Sequence, residues 1–227
     1  MIQLSALRRL ARDTSGLGAI EFAFSLPVIL TTTIYGVELS NLALANLKLS
    51  QVAITLADNA SRVGVRSNLS VQQLREGDIN DVLTGARMQG SNIKLTDNGR
   101  ITVSSIQVNK DGGQWIAWQR CLGVKSGAAW DSSYGVQNEG ATGTSFAGMG
   151  KSGEEVTAPP NSAVIFVEVK YDYKPVINFG LNTAKQLSYT SSFVVRDRRD
   201  LTQVYNPTPA ATPMTCDKYT SSVPRRG

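Results

Sequence analysis

The chain contains no histidine, and only two of its 227 residues are cysteines. Histidine is the commonest general base and the commonest metal ligand near neutral pH, so its absence argues against a serine triad and against the usual zinc sites. Cys121 and Cys216 lie far apart, and neither belongs to a Cys-x-x-Cys pair. The sequence therefore predicts a protein that is not an enzyme and that uses no metal, no cofactor and no small-molecule substrate.

Charged residues are also scarce, at 18% of the chain, and they form no basic cluster with interleaved aromatic residues. Part of the net charge of +5 lies in residues 1–16, where Arg8, Arg9 and Arg12 outnumber Asp13. Nucleic-acid-binding domains concentrate their cations on one face, so nucleic acid is not an expected partner. The length and the 41% hydrophobic content predict one globular domain with an attached segment.

That segment is the longest apolar run, residues 17–36, with the sequence LGAIEFAFSLPVILTTTIYG and a single charge at Glu21. Twenty helical residues span about 30 Å, which is the thickness of a bilayer core. Because the arginines precede the run, the positive-inside rule predicts a cytoplasmic N-terminus and an exported C-terminal part.

Three kinds of segment have this pattern. A secretory signal peptide would be cut after the Ala-x-Ala of Ala43 and Ala45, leaving Asn46 first. A signal anchor would keep the whole run. A carboxylate within hydrocarbon costs about 2.5–3.5 kcal/mol on insertion scales, so both of these leave Glu21 unexplained. The third kind is a processed membrane helix in which Glu21 has a partner.

The stretch RRLARDTSGLGAIEFAFSLPVIL resembles the processing site of type IV pilin-like proteins, and more narrowly of TadE-like minor pilins, or pseudopilins, of the Tad (tight adherence) pilus. In that family a prepilin peptidase cuts after the glycine of the pattern G-x-x-x-x-E-F/Y. The resemblance implies cleavage between Gly16 and Leu17. Glu21 and Phe22 then become the fifth and sixth residues of the mature chain.

The resemblance also implies a function in the assembly of a Tad-type (type IVc) pilus. The expected partners are the prepilin peptidase, other pilins, inner-membrane pilus assembly proteins and the inner membrane itself. The expected location is the bacterial inner membrane, spanned once, with the C-terminal domain in the periplasm or incorporated in the pilus. The alternative is a secreted or membrane-anchored, non-catalytic binding module with a conventional signal peptide or signal anchor.

An even number of cysteines in an exported domain predicts a disulfide between Cys121 and Cys216. It would close a loop of about 95 residues and contribute roughly 2–4 kcal/mol to stability. Two reduced or buried thiols are the alternative. TadE-like proteins often contain a Trp-x-x-Cys segment, which here is Trp118 to Cys121.

The pattern after the apolar run predicts an α+β fold, in which a transmembrane-to-amphipathic helix precedes a soluble domain with a short helix and an antiparallel sheet. One helix is expected from about Gly18 to Arg62, since nothing breaks it before Gly64. The corresponding division is a leader over residues 1–16, a transmembrane segment over 17–37 and an extracytoplasmic domain over 38–227.

Within that domain, a second helix is expected over 70–88, capped by Ser70 and divided near Gly77 and Asp78. Alternating Val, Ile, Tyr and Phe residues predict strands over 99–110, 113–121, 162–173 and 185–197, the first two forming a hairpin.

The segment 123–161 lacks any period and is expected to be a functional or mobile loop, pinned in places by Trp130, Tyr134 and Phe146. Its GMGKSG stretch (148–153) lacks the flanking strand and helix of a phosphate loop and is expected to be flexible. The RDRRD stretch (196–200) is expected to be a solvated strand end with local ion pairs.

Overall fold

A computed structural model of the chain describes residues 16–66, 71–176 and 185–224. Its longest element is helix α1, Leu17–Arg62, which continues through Pro27 over 46 residues. The helix ends before Gly64, whose φ of +150° favours glycine. A Cβ atom at Gly64 would also lie only 2.8 Å from Cγ of Gln72. The predicted single helix from about Gly18 to Arg62 is confirmed.

The chain forms two compact units. The first holds the described residues up to Ala43 together with Pro175 and Val176. The second holds Leu44–Lys174 and the described residues from 185 onward. Helix α1 contributes its N-terminal half to the first unit and its C-terminal half to the second.

The second helix begins later than predicted. Strand β1 (Val65–Arg66) pairs with strand β2 (Gln72–Gln73), and the N–H of Gln72 also donates to the carbonyl of Arg198 at 2.7 Å. These bonds hold the backbone extended where the sequence predicted helix. Helix α2 therefore spans Glu76–Gln89, and the predicted cap, Ser70, lies outside the described residues.

The first turn of α2 is capped by a different residue. The N–H of Arg75 donates to the Asp78 carboxylate at 3.1 Å, and the two side chains form an ion pair at 2.8 Å. The carboxylate also suits the N-terminal end of the helix dipole. Gly77 and Asp78 thus lie inside the first turn and do not divide the helix. A 3₁₀ turn, Ser91–Ile93, and a short helix α3, Leu95–Asn98, follow.

The remaining strands form one antiparallel sheet. Their bounds are Gly99–Val108 (β3), Gln114–Leu122 (β4), Ala163–Tyr173 (β5) and Lys185–Val194 (β6). The strand order is β4-β3-β5-β6, and every neighbouring pair is antiparallel. The predicted hairpin of β3 with β4 is confirmed, and so is the α+β fold class.

The C-terminal half of α1 packs on one face of this sheet. The hydroxyl of Tyr189 on β6 donates to Oδ1 of Asn46 at 3.2 Å, which identifies the face. Val169 on β5 and Ile101 on β3 are in register with Tyr189, share its face and are buried. The helix contributes buried side chains at helical spacing: Ala45, Leu49, Val52, Ala53, Leu56, Ala57 and Ala60.

The opposite face of the sheet is covered by the segment 123–161. This segment forms no helix or strand apart from isolated bridges, yet its side chains complete a buried apolar cluster. The rings of Tyr134 and Phe166 meet edge to face at 5.4 Å. The buried cluster comprises Ile106, Ile116, Met149, Ala158, Val164 and Phe166, flanked by Val108, Tyr134, Phe146 and Val156.

The packing shows which residues attach the segment 123–161 to the sheet. Tyr134 and Phe146 do hold it, as predicted, whereas Trp130 faces the ammonium of Lys125 at 5.2 Å. Within the GMGKSG stretch, Met149 is fully buried and pairs with Val156, whereas Lys151 to Gly153 are exposed. The segment thus contributes individual side chains to the core without forming a helix or strand of its own.

Candidate processing site and membrane-spanning segment

The residues that resemble a processing site lie at the start of α1. Leu17 is the first helical residue, and the N–H of Ile20 donates to the carbonyl of Gly16 at 3.1 Å. Gly16 therefore immediately precedes the helix. Glu21 follows Leu17 by four positions, so the two residues lie one turn apart on the same side of the helix. Helical side chains tilt towards the N-terminus, which directs the Glu21 side chain towards Leu17.

This start of the helix is exposed. Leu17 and Phe22 are both more than half exposed. A Cβ atom added at Gly16 or at Gly18 would meet no atom within 4 Å. Packing among the described residues therefore does not require glycine at position 16.

Glu21 has no cation within ion-pair distance in residues 16–66, 71–176 and 185–224. The first turn of α1 contains no acidic residue, so Glu21 is the first carboxylate of the helix. The carboxylate thus lies near a helix N-terminus, which favours an anion, but it has no ion-pair partner among the residues that the structure describes.

The apolar run after Glu21 is unburied, and residues 22–37 carry no charge. One helix of the described chain, α1, is long and apolar enough to cross a membrane, and no residue of its most apolar 18-residue window is buried. Its exposed large apolar side chains between Leu17 and Leu39 also include Ile20, Phe22, Phe24, Leu26, Val28, Ile29, Leu30, Tyr35 and Val37.

Three consecutive threonines within this run are satisfied by the helix itself. The hydroxyls of Thr31, Thr32 and Thr33 donate to carbonyls four residues earlier, at 2.7, 2.8 and 2.8 Å. An unsatisfied hydroxyl in hydrocarbon is costly, so these bonds make a polar triplet compatible with lipid. The segment can therefore span a membrane despite its threonines.

The predicted disulfide between Cys121 and Cys216 is present, and its sequence separation is 95. A buried arginine that the sequence analysis did not single out reinforces it. The guanidinium of Arg100 donates to the carbonyls of Gly123 at 3.2 Å, Lys218 at 3.3 Å and Cys216. Burial lowers the pKa of this guanidinium. Arg100 and the disulfide together fasten the C-terminal segment to the sheet.

The RDRRD stretch is only partly the solvated strand end that the sequence predicted. Arg196 is exposed and pairs with Asp58 at 3.3 Å. Arg199 is buried, and its guanidinium donates to the carbonyls of Ala60 at 3.3 Å and Val63 at 2.6 Å. It therefore caps the C-terminal end of α1, where a cation also suits the helix dipole.

Arg199 and its neighbours in RDRRD cannot be told apart by sequence, because the carbonyls that it binds belong to a distant element. Burial lowers the pKa of Arg199 to about 10, which leaves the side chain protonated at neutral pH. No sequence pattern near position 199 marks it as the residue that holds the end of the long helix.

No protein-family model, curated protein or solved structure matches this chain.

Proposed function

We propose that this protein is a TadE-like minor pilin or pseudopilin that takes part in assembling a Tad-type pilus. The supporting observation is the start of α1. The helix begins at Leu17 directly after Gly16, Glu21 lies one turn in without an ion-pair partner among the described residues, and the next sixteen residues are uncharged and unburied. A prepilin peptidase would cut between Gly16 and Leu17.

Cleavage would give Glu21 a partner. It creates an α-amine on Leu17, and the carboxylate of Glu21 is directed towards that end of the helix. The amine belongs to the same subunit or to a neighbouring one in the fibre. An amine and a carboxylate are each costly in hydrocarbon, and pairing removes much of that cost. Glu21 thereby registers an incoming subunit against its neighbours.

The exposed half of α1 would serve first as a membrane anchor and then as an assembly surface. Gly18, Ala19, Ala23 and Ser25 provide small side chains through which helices approach each other closely. Before assembly the protein would span the inner membrane once, with its N-terminus in the cytoplasm and its second unit in the periplasm. The partners would be other pilins and inner-membrane assembly proteins.

The deciding experiment is the mass of the mature N-terminal peptide in cells with and without the prepilin peptidase. A peptidase-dependent start at Leu17 supports the proposal. A start at Asn46 would indicate a signal peptide and an exported soluble domain. An intact Met1 in both strains would indicate a signal anchor. Either of the last two results contradicts the proposal.

A matched pair of glycine variants sharpens this experiment. Gly16→Val and Gly36→Val both introduce a side chain where no atom lies within 4 Å, so neither disturbs packing within the chain. Gly16→Val should abolish processing, because the peptidase reads that position, whereas Gly36→Val should be processed normally. Equal processing of the two variants would contradict cleavage after Gly16.

Variants of Glu21 distinguish a pilin-like protein from an anchored binding module. Glu21→Ala and the uncharged isostere Glu21→Gln should both be processed and membrane-inserted but should fail to support pilus assembly. A binding module should tolerate both changes, and a simple anchor should insert slightly better with alanine. The binding-module alternative would use the 123–161 segment for recognition, but the aromatic residues Tyr134 and Phe146 of that segment pack in the core.

A further inference from the structure

The first unit contains a contact that the processing site does not explain. Glu38 is only 7% exposed, and its Oε2 accepts a hydrogen bond from the N–H of Val176 at 3.0 Å. Val176 itself is 69% exposed. A backbone amide is thus held by a buried carboxylate while the adjoining apolar side chain points into solvent.

Glu38 lies where the apolar run of α1 ends. It follows Glu21 by seventeen residues, which is about 25 Å of helix, and all residues between the two are uncharged. Tyr35, almost one turn earlier, is an exposed aromatic residue of the kind that concentrates at membrane–water interfaces. A membrane spanned by residues 17–37 therefore has its outer boundary at Tyr35 and Glu38.

The hydrogen bond to Glu38 fixes the position of Val176 relative to the outer boundary of the proposed membrane span. Because Val176 is bonded to Glu38, it lies at the same level as the outer boundary of the span. Its N–H is satisfied and its predecessor, Pro175, has no N–H, so this short backbone stretch can enter the interface without exposing an amide donor to lipid. The sequence that follows, INFGLN over residues 177–182, is apolar at three of its six positions.

We propose that Val176, held by Glu38, is a second membrane contact, which rests on the lipid surface of the outer leaflet beside the spanning helix. The proposal depends on the membrane anchoring proposed above. Apolar side chains in such positions enter the boundary between headgroups and acyl chains without spanning the bilayer.

The test places single cysteines in the full-length protein, reconstituted in vesicles of phosphatidylethanolamine and phosphatidylglycerol. Each cysteine carries an environment-sensitive fluorophore, and its accessibility to aqueous iodide is measured. Cys121 and Cys216 are joined in a disulfide, and the chain has no other cysteine, so the label reacts with the introduced thiol alone.

Three exposed apolar positions form a matched set. Ile29→Cys places the label within the apolar run, and Val176→Cys places it at the test position. Val136→Cys places it in the second unit, at a valine whose exposure is similar to that of Val176. We expect iodide quenching at Val176 to be several-fold weaker than at Val136. A phospholipid carrying a nitroxide in its headgroup should quench Val176 more strongly than Ile29.

The outcomes distinguish the two proposals. Protection of Ile29 with full exposure of Val176 overturns the second contact and leaves the spanning helix in place. Full exposure of Ile29 overturns the membrane anchor, and the proposed function with it. Protection of both, with Val136 exposed, supports the contact.

Variants of Glu38 test its role as a positioning residue. Glu38→Ala removes the acceptor of the Val176 N–H, whereas Glu38→Gln keeps an oxygen acceptor and removes the charge. Iodide quenching at Val176 should rise towards the Val136 value in the alanine variant and stay low in the glutamine variant. Unchanged protection in the alanine variant would overturn the role of Glu38.

Discussion

Replacing Arg199 with methionine is expected to lower the free energy of unfolding of the second unit by about 2–4 kcal/mol. The guanidinium donates to carbonyls of Ala60, Ser61 and Val63 at the C-terminal end of α1. Hydrogen bonds to a charged group contribute about 1.5–3 kcal/mol each, and a cation at a helix C-terminus adds about 0.3–1 kcal/mol. Methionine has a similar length and fills the same space without donating.

Two opposing effects decide the size of this change. Burial of the guanidinium is unfavourable, as its lowered pKa of about 10 indicates, and its Nε atom has no hydrogen-bond partner among the described residues. Replacing buried charges by apolar residues is therefore often neutral. Here the partners are backbone carbonyls that cannot move away, and methionine would leave them without donors. The loss of these bonds should exceed the relief of desolvation.

The assay is denaturant unfolding of the full chain in detergent, followed by tryptophan fluorescence. All three tryptophans, Trp115, Trp118 and Trp130, lie in the second unit, so the signal reports that unit alone. Arg196→Met is the matched control from the same RDRRD stretch, and its loss should stay below about 1 kcal/mol because Arg196 is exposed. Equal stability of the two variants would refute the assignment of Arg199 as the cap.

Two further predictions concern the second unit. Replacing Cys121 and Cys216 together by alanine should lower the free energy of unfolding by about 2–4 kcal/mol, measured in the same unfolding assay, because the bridge constrains a long loop in the unfolded chain. Equal unfolding midpoints with and without the bridge would contradict this. Hydrogen bonds from Thr202 and Tyr205 lower the pKa of Asp200 below its ordinary value of 3.8. The stability that the Asp200 carboxylate contributes to the fold is therefore present above pH 3.8, and it is lost as the pH falls through the folded-state pKa. The stability difference between wild type and Asp200→Asn should shrink on acidification below pH 3.8, and a difference that grows would contradict the prediction.

The elements that sequence reasoning predicted well are those with a strong local period. The apolar run and the amphipathic stretch up to Arg62 specify α1 without reference to any other part of the chain. The alternating Val, Ile and Tyr residues specify the four long strands in the same way. The disulfide was predictable as well, because the chain offers only one possible pair of cysteines.

The features that sequence reasoning missed depend on long-range contacts. Gln72 is extended because it bonds to the Arg198 segment, so the helix begins at Glu76 and not near Ser70. Arg100 and Arg199 resemble ordinary surface arginines until the carbonyls that they bind are located in space. The segment 123–161 has no period because its apolar residues contact a sheet face individually and do not form an element of their own.

Helix α1 has two chemically different halves, and only one of them is explained by the fold. From Ala45 onward, its apolar residues are buried on the sheet. Before that point they face outward, and an exposed apolar surface of this extent would cause a soluble chain to aggregate. A bilayer would provide apolar surroundings for this half, and under the proposed function the packed helices of a fibre would do so as well. If the proposed cleavage creates an α-amine on Leu17, that amine would give Glu21 a partner in either environment, because pairing removes much of the cost of a carboxylate in apolar surroundings.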